Sequence, residues 1–120
     1  MSFDFYKLVH FLGLIMVFSG LGAQFVLAIN GTGSKDGPGR RWVAMLHGIG
    51  LVLLLVAGFG MLAKGQLPIQ GWVISKLAIW ILLGGIGAIA ARRKSMAGVM
   101  WIVALLLGLS AAYLARFKPF

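Results

Sequence analysis

Four uninterrupted apolar stretches dominate this 120-residue chain and leave it very few ways to fold. They run over Phe5–Ile29, Trp42–Ala63, Trp72–Ala91 and Met96–Leu114. Each is about 20 residues long, and at about 1.5 Å per residue that crosses a hydrocarbon core of about 30 Å. In lipid, backbone polar groups must pair within a helix or around a closed barrel. None of the stretches alternates with period two as a barrel strand does, so helices follow. The expected fold is all-α: a polytopic membrane protein in a lipid bilayer, with residues 1–120 forming one four-transmembrane-helix up-down bundle. Composition agrees. Hydrophobic residues make up 61% of the chain and charged residues 11%, too small a polar share for a soluble domain of this size.

The first stretch has some character of a signal peptide, with Lys7 ahead of an apolar run. The run is too long for the apolar region of such a peptide, Asp4 spoils the basic start, and no small-x-small cleavage site follows. It reads as a retained helix.

The polar inventory excludes several chemistries. There is no cysteine, hence no disulfide, thiolate metal site or iron–sulfur cluster. The only carboxylates, Asp4 and Asp36, lie outside the apolar spans, which argues against paired-carboxylate catalysis and a carboxylate proton relay. The net charge of +9 would suggest nucleic acid in a soluble protein. Here the cations sit in short loops, where they attract anionic headgroups and set topology. Loops one and three hold Lys35, Arg40, Arg41, Arg92, Arg93 and Lys94; the other side holds Lys7, Lys64, Arg116 and Lys118. The positive-inside rule then puts loops 30–41 and 92–95 in the cytoplasm and both termini outside, in a bacterial inner membrane.

The first loop, Asn30 to Arg41, is rich in glycine and carries Pro38, as a polar turn does. Its Asn30-Gly31-Thr32 matches a glycosylation acceptor only formally, since the loop is expected on the cytoplasmic side. Its glycines follow a helix and no Gly-Lys-Ser/Thr ends them, so they make no phosphate loop. The short Arg92–Ser95 connection makes the third and fourth helices antiparallel neighbours. Small residues spaced by four, as in Ser19/Ala23, Ala44/Gly48, Gly84/Ala88, Gly87/Ala91 and Gly108/Ala112, allow close helix packing and a homodimer through glycine-rich faces.

One lysine, Lys76, lies about a turn inside the third span, with Trp72 and Trp80 four residues to either side on the same face. A charge at that depth is costly and marks a function or a partner. In the first span Tyr6, His10, Gly13, Val17, Gly20 and Gln24 recur at alternating steps of four and three, a polar and small stripe expected to face the bundle interior. His10 and Lys76 fall at one depth, and Tyr113 near the end of the fourth span returns to it. Tyr6, His10, Lys76 and Tyr113, flanked by Trp72 and Trp80, form the candidate site. His47 is about 15 Å away along the membrane normal on this topology, too far to share a metal with His10. Its plainer role is at the cytoplasmic interface beside Trp42 and Arg41. Plainer readings exist for the others too: Lys76 snorkelling past its tryptophans to the headgroups, and His10 hydrogen-bonded to a neighbouring helix.

Lys7-Leu8-Val9-His10, Gly20-Leu21, the stretch Gly71-Trp72-x-x-x-Lys76-Leu77 and the terminal Lys118-Pro119-Phe120 resemble the HemJ-type protoporphyrinogen oxidases, small four-helix inner-membrane proteins of haem synthesis. The chain is shorter than those enzymes, and Gly22-Ala23-Gln24 follows Gly20-Leu21 where they have an arginine. The resemblance implies an oxidoreductase in which the first-helix histidine and third-helix lysine, here His10 and Lys76, are catalytic, with haem b as cofactor. His10 would then be the iron ligand, and Lys76, Tyr6, Trp72 and Tyr113 would line the tetrapyrrole. Pro68 through Trp72, Lys76, Leu83-Gly84, Arg92-Arg93 and His47 resemble the SirB-like membrane proteins, and the CopD-type membrane domains share the general architecture. Two other classes stay open: a non-enzymatic accessory membrane protein without a cofactor, and a small-solute or metal-ion transporter, which the lack of membrane carboxylates disfavours.

Overall fold

A computed structural model describes residues 2–29, 39–66 and 68–118. Most of the first loop, residues 30–38, and the terminal Pro119-Phe120 pair lie outside the described residues, and with them the turn and the glycosylation match expected there. Four helices follow in order: α1, Phe3–Ile29; α2, Arg40–Lys64; α3, Gly71–Arg92; and α4, Ala97–Phe117. All four are long and apolar enough to cross a membrane.

The helix ends follow local chemistry. Gly39 precedes α2 with φ +77°, a left-handed conformation that glycine adopts without penalty. Pro68 lies in the extended stretch before α3, where it costs no helical hydrogen bond. At the other end of α3 the chain leaves the helix at Arg93 and makes one short 3-10 turn, Lys94–Met96, before α4. The helix over Met96–Leu114 expected from hydropathy instead runs from Ala97 to Phe117, because the long-stemmed Arg116 lets the last turn continue to the interface.

The helices form two hairpins. In α1 and α2 the register is antiparallel: Gly13 meets Gly50, Val17 meets His47, and Tyr6 meets Gly60. A Cβ at Gly13 would lie 2.8 Å from the Leu54 amide nitrogen, and one at Gly50 would lie 2.8 Å from that of Val17. No side chain fits there, so the two backbones touch. This is a different glycine pair from the four-spaced ones noted above; Gly48 has nothing within 4 Å of its would-be Cβ. The closing of α3 on α4 completes the second hairpin, while α2 and α3 meet only sparsely. Helix α1 touches all three others and is the hub.

The core is a stripe on each helix: Val17, Leu21, Phe25 and Ala28 on α1, Ile79, Leu83, Ile86 and Ala90 on α3, with Leu54, Ala97 and Ala104. Steps of three and four place each set on one face. Phe25 packs on Trp101 with ring centroids 5.8 Å apart. The outside is the mirror image of a soluble protein's. Leu8, Ile15, Val56, Ile81, Leu105 and Leu109 are among many large apolar side chains left exposed. An apolar belt of this extent belongs against lipid tails.

Candidate functional site

The polar stripe of α1 faces inward, chiefly onto α2. Gly13, Val17 and Gly20 are buried. Tyr6 lays its ring over Gly60, and Gln24 lies against Gly87 of α3. His10 is half-buried, its ring beside Gly58, and Nδ1 is 3.1 Å from the Leu54 carbonyl oxygen. A carbonyl only accepts, so Nδ1–H donates and Nε2 keeps its lone pair. That bond fixes the tautomer and the ring plane, as the partner of a metal-bound histidine does.

Lys76 enters from α3, half-buried, near enough to His10 for its charge to act on the imidazole. Lys118, just past the end of α4, acts in turn on Lys76. Its ammonium lies 5.2 Å from the Trp72 ring centroid, a cation–π contact, and donates to the Ala115 carbonyl at 2.8 Å. Trp72 is buried and its indole N–H reaches Gln70 at 3.1 Å. Two turns deeper, Trp80 donates to the Leu51 carbonyl at 2.9 Å, tying α3 to α2. Two helices, α1 and α3, and the start of the C-terminal tail thus bring His10, Lys76, Trp72 and Lys118 to one end of the bundle. Tyr6 is on the same end, against α2, with Phe5 edge-on at 5.9 Å.

Tyr113 is the exception among the expected site residues. It is 54% exposed, and its ring lies 4.9 Å from that of Phe117 one turn on in the same helix. Pairing along the outer face of α4 keeps it out of the interior group.

His47 departs from its expected place at the cytoplasmic interface. It is only 6% exposed and lies inside the α1/α2 contact, Nδ1 3.3 Å from the Val17 carbonyl. The cause is Gly20: its missing side chain lets α1 close onto the His47 backbone, where a Cβ would lie 2.8 Å from that of His47. Trp42 and Arg41, its expected companions, are exposed. The histidines do occupy different levels. His10 and Val17, whose carbonyl meets His47, are seven residues apart on α1, or about 10 Å along the helix. His47 Nε2 and Gln24 Oε1 are buried with no hydrogen-bond partner among the described residues. Those residues contain no group of three or more His, Cys, Asp or Glu side chains able to hold a metal.

The place of Lys118 in the site escaped the sequence reading, which has it only as a loop charge and in the terminal Lys118-Pro119-Phe120 motif, although antiparallel alternation returns the end of α4 to the level where α3 begins. The carbonyls of Leu54, Leu51 and Val17 escaped it as well, since every residue has one and only the packed register selects among them.

No curated protein and no solved structure is matched by the chain. The family model described as "Invasion gene expression up-regulator, SirB" matches residues 3–119. The match takes in all four helices and the His10, His47 and Lys76 positions, and it is the SirB resemblance, rather than the HemJ-type one, that it supports. The chain is a small four-helix protein of the SirB family, with helices built to span a membrane.

Proposed function

We propose that the end of the bundle holding His10 and Lys76 binds a flat, carboxylate-bearing ligand, with haem b the tetrapyrrole that fits the donor set, in an inner-membrane protein with its termini outside. The observation that carries this reading is the His10–Leu54 bond, which orients the imidazole and leaves Nε2 free to donate to iron. Lys76 supplies a cation for a carboxylate group beside it, Lys118 supplies a second next to Lys76 and Trp72, and Trp72 and Tyr6 supply aromatic surface. Bound haem would supply one-electron chemistry. The chain's own part is to ligate through His10, to neutralise the propionates through Lys76, and to shield the site with Trp72. The HemJ-type resemblance of Lys7-x-x-His10 and Gly71-Trp72-x-x-x-Lys76-Leu77 extends this to a tetrapyrrole oxidoreductase with His10 and Lys76 catalytic. Replacing Lys76 by Met should weaken haem binding about 10–100-fold, the worth of one charge-assisted contact. Haem titration in detergent reads this directly, and unchanged affinity would remove Lys76 from the site.

A second reading has its own support. His10, His47 and Trp80 each bridge two helices through a backbone carbonyl. Such bonds hold a bundle together whether or not a ligand binds, as an accessory or dimeric membrane protein requires. On that reading His10→Leu and Lys76→Met insert and fold normally, and haem added to the wild type binds no better than to the double variant.

A further inference from the structure

The end of the bundle opposite His10 carries a groove of about 480 Å³ that the proposed haem site does not use. Its floor is α1, where Gly22 and Ala23 leave little side chain. Phe18 of α1, Trp101 of α4 and Val43 of α2 complete the lining. From Phe18 to Leu27 the floor runs nine residues, about 14 Å along the helix. The lining is almost wholly apolar, and the helices that form it span the membrane by length and composition. A water-filled pocket with such walls is unfavourable, whereas a hydrocarbon chain suits them.

The same end of the bundle carries arginines. Gly39, which lines the groove, lies two residues before the exposed Arg41, and the turn that follows the exposed Arg92 and Arg93 packs against α1. Asp4, the one acidic side chain among the described residues, is in the first turn of α1, at the other end. An apolar slot at the arginine-bearing end of the bundle complements an amphiphile with an anionic head.

We infer that this groove is a binding site for one acyl chain of an anionic phospholipid, with its phosphate at the Arg41 and Arg92-Arg93 end. Basic residues at the headgroup level attract anionic lipid, and the groove adds shape selection that a bare basic surface lacks. The test is native mass spectrometry of the full chain in detergent with equal phosphatidylglycerol and phosphatidylcholine. The wild type should carry one phosphatidylglycerol at several-fold greater occupancy than phosphatidylcholine. Ser19 is an exposed residue of the groove wall, so Ser19→Leu fills it without entering the core. That variant should lose the bound lipid, and Arg41→Gln should keep lipid binding while losing the preference for phosphatidylglycerol. Equal occupancy by the two lipids in the wild type, or unchanged phosphatidylglycerol binding in Ser19→Leu, would overturn the site. A wild-type dimer that Ser19→Leu dissociates would overturn it in favour of a second copy of the chain in the groove.

Discussion

The Leu54 carbonyl that receives the His10 Nδ1–H is also available to the backbone ladder of α2, so losing the histidine does not strand it. Interhelical hydrogen bonds in membranes average about 0.6 kcal/mol and reach about 1.7. His10→Ala should therefore destabilise the apoprotein by about 0.5–1.5 kcal/mol in a denaturant titration in mixed micelles; a loss above about 4 kcal/mol would mean that His10 holds the fold rather than a ligand. His47 should respond with the opposite sign of expectation. Its Nε2 is buried without a partner among the described residues, and replacing a half-satisfied polar ring by Leu is often neutral or stabilising. The same titration on His47→Leu should give a change of less than about 1 kcal/mol, or a gain; a clear loss would show that the unpartnered nitrogen has a use. At this scale the sequence was half legible. Spacing along α1 gave the inward face of Tyr6, His10 and Gln24, because helical periodicity is a property of the chain itself. The partners of those side chains were hidden, because they are backbone carbonyls and a glycine face on other helices. Tyr113 shows the converse: its depth was readable, and its outward rotation was not, since the pairing with Phe117 that holds it there competes with an inward alternative of similar polarity.

At the scale of elements, glycine contacts decide which helices pair closely. Gly13 and Gly50 admit no side chain, whereas Gly48 on the same helix faces open space. Gly13→Leu or Gly50→Leu should prevent the native bundle from forming, and Gly48→Leu should be tolerated with less than about 1 kcal/mol change. Size-exclusion profiles and helical circular dichroism of the three detergent-solubilised variants check this; equal behaviour of Gly13→Leu and Gly48→Leu would contradict the close α1/α2 crossing. The spans themselves were readable to within three residues at every end, because hydrocarbon thickness sets their length. The small-residue pairs spaced by four did not identify this crossing. Dense glycines in an apolar helix offer several equivalent faces, and only the opposing helix selects among them.

For the whole molecule, hydropathy was enough to give four membrane-spanning helices, and loop charge gave an orientation. The absence of cysteine makes that orientation easy to test. Ser2 and Ser95 are exposed at opposite ends of the bundle. In intact cells a membrane-impermeant maleimide should label Ser2→Cys and spare Ser95→Cys; the reverse pattern would invert the topology and place the His10 end on the cytoplasmic side. Hydropathy said little about which helix is central. That α1 contacts all three others follows from its glycine stripe on one side and its Phe25–Trp101 contact on the other, a combination visible only in three dimensions.

The central claim is that His10 is a ligand, and an absorption spectrum tests it most directly. Protein purified from membranes and supplied with haem should show a Soret band that the same preparation of His10→Ala lacks, while both proteins elute as folded species. A wild-type protein that stays colourless with added haem, or a His10→Ala protein with the same band, would contradict it.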